Sequence, residues 1–393
     1  MKEKTENKTT HKTKIGGQAL FEGVMMKGSG KEAMAVRKKD GSIHVEVNEV
    51  PNNKWYQKTI FIRGIFNFVL QMKNGYKYLM KSMEVSGFLD DEEDKKKEES
   101  ADPAADVTAQ EATPTASSVF GIVTDIPDTV AVPESAVLAT NAENIGRQVT
   151  AEPGEAGTPP RVSSVETLIG VLGMVGGVAL SVFLFMYLPA WGFTMFSKLF
   201  KSDIKMYQAL FEGVIRIILF VAYMWAVSLM KEIRLTYEYH GAEHKTIAAY
   251  EAGEKLDPEN VENIKKYTRF HPRCGTSFMF LMLAISILFF SVLQFFLPIS
   301  SEEVAQGLGV NMLLANLIRS GVKIACLPVL VSISYEIIKL AGRYDRNIIM
   351  RIVSAPGIGM QRLTTKEPSE KQLEVAVAAM IPVIPDNIDD EKW

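Results

Sequence analysis

The stretch from Thr167 to Met195 contains no charged residue, and that property constrains the fold more than any other in the chain. A helix needs about 20 apolar residues to cross a bilayer core, where every backbone polar group must be satisfied internally. Three further stretches share this character. Residues 211–230 carry only Glu212 and Arg216, near their start, and residues 277–297 are uncharged. Residues 313–340 are apolar around Arg319, Lys323, Glu336 and Lys339, with Pro328 placed to kink the helix. The expected fold class is therefore an integral membrane protein, mainly α, with about four transmembrane helices. Mean hydropathy over the whole chain is only +0.06 because a polar N-terminal third dilutes the apolar middle.

Loop charges set the expected orientation, since cytoplasmic loops are enriched in Lys and Arg. The segment between the second and third spans holds Lys231, Arg234, Lys245, Lys255, Lys265, Lys266, Arg269 and Arg273. The opposite side offers Lys198, Lys201 and Lys205 in one loop and no basic residue from Pro298 to Asn316 in the other. The protein is expected in the cell membrane, multi-pass, with both termini and the His-rich loop cytoplasmic. The Lys/Thr-rich start lacks an apolar core, so no cleavable signal peptide is expected. The two cysteines are Cys274 and Cys326, the latter inside a span, which fits a reducing compartment rather than a disulfide framework. A net charge of −3 gives no basis for a nucleic-acid partner.

Outside the spans the chain divides by composition. Residues 1–15 read as a disordered tail, and 16–57 as a small cytoplasmic β-hairpin element. In that element Ala33–Arg37 and Ser42–Val47 are joined across Lys39-Asp40-Gly41. Residues 58–89 place Ile60, Ile65, Phe68, Met72 and Leu79 at helical spacing among lysines. That pattern suits an amphipathic interfacial helix, the alternative being a core helix of a soluble subdomain. Residues 90–160 turn to Ala, Thr, Pro, Glu and Ser and read as a disordered linker. Gly170, Gly173, Gly176 and Gly177 mark a helix-packing face in the first span. Glu212, Arg216, Arg319 and Lys323 are expected to form a salt-bridged cluster near the outer leaflet, an ion or solute path being the sharper alternative. The heptapeptide Gln18-Ala-Leu-Phe-Glu22-Gly-Val24 recurs as Gln208-Ala-Leu-Phe-Glu212-Gly-Val214, but its surroundings do not match, so no structural repeat is expected.

The chemistry concentrates in residues 231–276, a cytoplasmic loop between the second and third spans. The protein has five histidines, and His240, His244 and His271 fall in this stretch. Residues 231–252 have helical character, which puts His240 and His244 on one face with Glu243 beside them. Gly253 is expected to stop that helix, and Asp257-Pro258 to start another. His271-Pro-Arg-Cys274 follows, just before the third span, so packing of the second and third spans would bring His271 and Cys274 to His240 and His244. Imidazole and thiolate together favour zinc (Zn²⁺). The order His-x-x-Glu-His is also the inverted zinc-protease signature, with the glutamate as general base. Expected metal ligands are His240, His244, His271 and Cys274, and the expected catalytic residue is Glu243. Four ligands would make a closed structural site; with His271 or Cys274 outside the set, an open position would remain. The non-metal alternative pairs the histidines with Glu238 or Glu251.

Four segments in order carry a resemblance to a known family: Gly16–Gly28, Tyr239–Lys245, His271–Phe278 and Pro356–Pro368. Together they resemble the YqhQ-like bacterial membrane family. That family contains a domain of unknown function and bears the label of a predicted metal-dependent enzyme. The resemblance implies an integral membrane protein and leaves the substrate unnamed. The C-terminal segment, 341–393, is expected to be cytoplasmic, with a helix over Glu370–Met380 packing near the metal loop. Three functions follow as expectations: a zinc-dependent hydrolase at the inner membrane surface, a non-enzymatic scaffold or assembly factor with a structural zinc site, and, third, a transporter. Expected partners are the lipid bilayer and membrane proteins or a second copy of the chain.

Overall fold

The structure, a computed structural model, describes residues 11–51, 54–88, 164–200, 207–296, 301–344 and 347–385. The linker and most of the N-terminal tail read from the sequence lie outside the described residues.

The N-terminal element is larger than a hairpin. Strands β1 (Gly16–Leu20), β2 (Gly23–Lys27), β3 (Lys31–Arg37) and β4 (Ile43–Glu49) form an antiparallel meander in the order β1-β2-β3-β4. The hairpin expected from the sequence is β3–β4, in which Val36 faces His44 and Arg37 faces Ile43. Its turn is closed by Asp40 Oδ1, which accepts from the Ser42 amide at 2.8 Å, and by Gly41 at φ 85°. Both faces of the sheet are covered, which explains why β2 and β3 are almost continuously apolar instead of alternating. Val24, Met26, Ala33 and Ala35 face a core shared with two helices, α5 (Lys231–Glu251) and α12 (Glu370–Met380). On the other face Met25, Met34 and Val36 pack against Tyr78, Leu79 and Val85 of helix α1 (Ile62–Val85).

Helix α1 divides between the two readings of its sequence. Its C-terminal half belongs to the sheet core. Its N-terminal half leans on another helix, α10 (Leu327–Arg343), where a Cβ at Gly64 would sit 2.9 Å from Ser332 Cα. Arg63 Nε donates to Glu336 Oε1 at 2.7 Å in the same contact. Phe66, Val69, Leu70 and Met72 of this half are exposed.

Three helices are long and apolar enough to cross a membrane, or four if one bent pair counts as a span. The first candidate span, Val175–Phe200, joins α2 (Ser164–Val182), a π-helical turn Phe183–Tyr187 and α3 (Leu188–Phe200). The second is α4 (Gln208–Val227), and the third lies in α7 (Gly275–Phe296), which starts two residues earlier than Ser277. The bent pair is α9 (Met312–Ala325) and α10, at 41°. The break falls at Cys326, with Pro328 in the first turn of α10, where its missing N–H is tolerated. Between α7 and α9 lies the short α8 (Ser301–Leu308). Buried fractions of 11% in the second and third spans match helices whose side chains mostly face lipid. Of the glycine face expected in the first span, Gly176 and Gly177 pack against nothing among the described residues: a Cβ at either would meet nothing within 4 Å.

Glu212 is fully buried and anchors the charged cluster. Its carboxylate accepts from Gln208 Nε2 at 2.8 Å, Arg216 Nη2 at 2.9 Å, Arg319 Nη1 at 2.6 Å and Lys323 Nζ at 2.9 Å. Arg216 also donates from Nε to the Phe185 carbonyl inside the π turn at 2.8 Å. This is the salt-bridged arrangement expected from the sequence. The two copies of the heptapeptide share no structure: the first makes the β1–β2 hairpin and the second opens α4.

Candidate metal centre

Helix α5 begins at Lys231 after a break at Ser228–Met230, and Gly253 at φ 81° stops it. The expected helix start at Asp257-Pro258 is not seen. Asp257 Oδ1 instead accepts from the Glu259 amide at 3.0 Å in a side-chain-closed turn, and the short helix α6 runs over Glu262–Lys265. One side of α5 buries Tyr239, Ala242 and Ile247 in the sheet core. On its other side a Cβ at Gly241 would collide with the Lys366 carbonyl, so glycine lets the C-terminal segment lie directly on the helix. The Lys366 amide donates to the Tyr237 carbonyl at 2.8 Å in that contact.

One turn of helix separates His240 from His244, and their ring centroids are 4.5 Å apart. Cys274 meets them from the start of α7: its Sγ lies 3.2 Å from His240 Nε2. One ligand atom from each of His240, His244 and Cys274 falls within 4.8 Å of the others. Both imidazoles are oriented from behind. Nδ1 of His240 is 2.8 Å from the Thr364 carbonyl, and Nδ1 of His244 is 2.5 Å from the Arg269 carbonyl. A carbonyl only accepts, so each Nδ1 carries a hydrogen and Nε2 is the ring nitrogen left to serve the centre. Thr364 ends helix α11 (Ile348–Thr364), which packs along α7.

His271 stands beside this trio, outside the set that converges within 4.8 Å. Its ring is 5.6 Å from that of His244, and its Nε2 lies 3.1 Å from Arg273 Nη2. Burial and the neighbouring Arg273 hold its pKa well below the ordinary histidine value, so the ring is neutral. Its backbone is clamped by Gln361 of α11. Gln361 Oε1 accepts from the His271 amide at 2.8 Å, and Nε2 donates to the His271 carbonyl at 2.6 Å and to Ser277 Oγ at 2.8 Å. His271 therefore shapes the turn that delivers Cys274. The carboxylates considered as non-metal partners are engaged elsewhere. Glu251 pairs with Arg273, and Glu238 accepts from Gln372 Nε2 at 2.9 Å.

The electrostatics of the trio suit a thiolate. Burial alone would raise the Cys274 pKa, but His240 and His244 outweigh it and hold the thiol well below its usual value. Burial opposes charge on His240, yet the facing Cys274 sulfur pushes its pKa up to about 9. Glu243 is 4% exposed, and burial raises its pKa against the pull of the two histidines and the Gly17 amide. Its Oε2 has no hydrogen-bond partner among the described residues. An orphaned, buried carboxylate oxygen beside two imidazoles and a thiolate is a costly arrangement for a hydrogen-bonded polar loop. A nitrogen, nitrogen and sulfur donor set with that oxygen nearby fits a borderline cation such as zinc.

Several supporting residues carry no signal of chemistry in the sequence. Gly17 of β1 abuts the site: a Cβ there would lie 3.0 Å from Glu243 Cδ. Glu22 adopts the left-handed conformation at φ 49°, held by the Tyr239 hydroxyl, which donates to its Oε2 at 2.9 Å. Thr364 and Arg269 contribute backbone carbonyls, which any residue type supplies. The family motifs Gly16–Gly28 and Pro356–Pro368 contain Gly17, Glu22 and Thr364 without assigning them a role.

The architecture defines a class: a bundle of apolar helices joined to a mixed α/β head, with a His–Cys cluster where the two meet. Residues 60–386 match the family described as "Protein of unknown function (DUF1385)", and the chain belongs to that family. It is similar to "Uncharacterized protein YqhQ" of Bacillus subtilis (strain 168), with 26% identity over 365 residues, 92% of this chain and 89% of the relative. No solved structure matches. Neither the family description nor the relative's name states an activity.

Proposed function

We propose that the protein is a zinc-dependent membrane hydrolase, with His240, His244 and Cys274 holding the metal and Glu243 serving as general base. The observation that carries this reading is the pairing of three convergent ligands with the buried, unpartnered Glu243 Oε2. Three protein ligands leave one tetrahedral position open, the mark of catalytic rather than structural zinc sites. Zinc in such a site acts as a Lewis acid and brings the ionisation of water to near neutral pH. Glu243 would accept the water proton at Oε2, and its pKa, raised by burial, suits a group that takes up and returns a proton. Thr364 and Arg269 keep each imidazole in the tautomer that presents Nε2, and Gln361 keeps the His271 turn in register with Cys274. Orientation is read from loop charge: the basic 231–276 segment supports a cytoplasmic centre, with both termini on that side.

A second reading has its own observation. The cluster fastens α5, the 269–274 turn, the end of α11 and β1 to one another, as a purely structural zinc site in a scaffold would. Glu243→Gln separates the two. The hydrolase reading expects full zinc content with loss of the cellular phenotype that deletion of the protein produces. Full zinc content with an intact phenotype would leave only the structural role, and His240→Ala should then lower protein abundance.

A further inference from the structure

One cleft borders the metal centre without belonging to it. It has a volume of about 440 Å³ and lies between the Phe270–Pro272 turn and one stripe of α11. Two polypeptide links tie it to the centre. The turn follows directly on Arg269, whose carbonyl orients His244, and α11 ends at Thr364, whose carbonyl orients His240.

The stripe comprises Arg351, Ser354, Ala355, Ile358, Gly359 and Arg362. Arg351, Ser354 or Ala355, Ile358 or Gly359, and Arg362 recur at spacings of three to four residues, so they share one helix face, and the two arginines stand about 16 Å apart along the axis. The middle of the cleft is apolar, walled by Met350, Ala355 and Ile358 from the helix and by Phe270 and Pro272 from the turn. Its ends are cationic. Arg351 and Arg362 are exposed, and neither side chain has an ion pair among the described residues. Next to Arg351 the same helix exposes Ile348, Ile349 and Ile352 at 60–66% of their surface. Unpaired guanidinium groups among exposed isoleucines, on a helix packed along a membrane span, match the boundary between headgroups and acyl chains.

We propose that this cleft takes an anionic glycerophospholipid from the adjoining leaflet, its phosphate held by Arg351 or Arg362 and its acyl portion lying along the apolar wall. Charge selects the occupant. A neutral apolar ligand would leave both arginines unanswered, and a small anion would leave the apolar wall bare. The inference deepens the hydrolase reading and rests on it for one thing only, that the bound lipid is the substrate. Gly359 gives an independent way to close the cleft. A Cβ there meets nothing within 4 Å, so a larger side chain fits the fold while filling the space.

The test uses the full-length protein in detergent, titrated with phosphatidylglycerol, with phosphatidylcholine and with glycerol 3-phosphate. Bound molecules are counted by native mass spectrometry, and zinc is measured in the same samples. Phosphatidylglycerol should bind at least about tenfold better than phosphatidylcholine, and Arg351→Glu with Arg362→Glu should remove about that factor. Lys31→Glu with Lys255→Glu makes the same charge change at exposed positions elsewhere and should leave binding unchanged. Gly359→Leu should weaken phosphatidylglycerol binding with the arginines in place. Equal binding of the two lipids would overturn the proposal, as would an equal loss in the Lys31/Lys255 variant or undiminished binding by Gly359→Leu. Tighter binding of glycerol 3-phosphate than of the lipid would overturn the acyl part. The two readings fail separately: selective lipid binding without zinc sinks the hydrolase, and zinc without lipid selectivity sinks the cleft.

Discussion

Replacing Gln361 by leucine should damage the centre without touching a ligand. The side chain is fully buried and makes three hydrogen bonds, at 2.8, 2.6 and 2.8 Å, two to the His271 backbone and one to Ser277. Leucine fills a similar volume and answers none of them. Leaving a buried partner unsatisfied costs roughly 1–3 kcal/mol, so three would cost about 3–9 kcal/mol if nothing moved. Phe270, Pro272 and Arg273 around the buried His271 are partly exposed, so the turn can shift toward solvent, which argues for the lower end, about 3 kcal/mol. For a head of this size that corresponds to a fall of roughly 6–12 °C in the unfolding midpoint. Because the same turn delivers Cys274, zinc affinity should fall in parallel. Tryptophan-independent thermal unfolding by circular dichroism in detergent, with a competitive zinc titration, reads both. A midpoint and an affinity equal to wild type would refute the claim that Gln361 holds the turn in register.

Zinc uptake should depend on pH in a range set by the centre itself. In the metal-free protein the His240 pKa is about 9, so His240 is protonated at neutral pH and must release that proton to bind metal. Apparent affinity should therefore rise about tenfold per pH unit from pH 7 toward 9, with proton release measurable in weakly buffered titrations. A flat profile above pH 7 would contradict it. In the metal-free protein the sign is opposite for stability. The raised His240 pKa contributes stability below its unfolded value near 6.5 that is lost as pH passes about 9. Within the membrane, Glu212→Gln should leave Arg216, Arg319 and Lys323 without their shared counter-charge and cost about 3–5 kcal/mol, seen as reduced yield of folded protein. Wild-type yield and detergent stability in that variant would show the cluster to be dispensable.

The legible parts of the molecule were those encoded by periodicity and composition. The apolar stretches gave the spans, Pro328 the bend, and the spacing of His240 and His244 their shared face. Asp40-Gly41 gave the β3–β4 turn. The β1–β2 hairpin was hidden because its turn, Phe21-Glu22, has neither glycine nor asparagine. Its left-handed Glu22 is stabilised by Tyr239, more than two hundred residues away in the chain. The repeated heptapeptide makes the same point, since tertiary context alone decides between hairpin and helix. At the centre, the convergence of Cys274 on His240 and His244 was legible, and the offset of His271 from that trio was not. The distinction rests on Arg273 and Gln361, together with carbonyls at Thr364 and Arg269 that no side-chain pattern reveals. Asp257-Pro258 carried the chemistry of a helix start but was used for an aspartate-closed turn, with the helix beginning at Glu262.

The central claim, that His240, His244 and Cys274 form a metal centre, is tested most directly by X-ray absorption at the zinc edge on gently purified protein. One zinc per chain is expected, with two nitrogen ligands at about 2.0–2.1 Å and one sulfur at about 2.3 Å. Cys274→Ser should remove the sulfur scattering, and Cys326→Ser should leave it unchanged. Protein that contains no transition metal and takes none up on titration would contradict the account, as would zinc bound without sulfur.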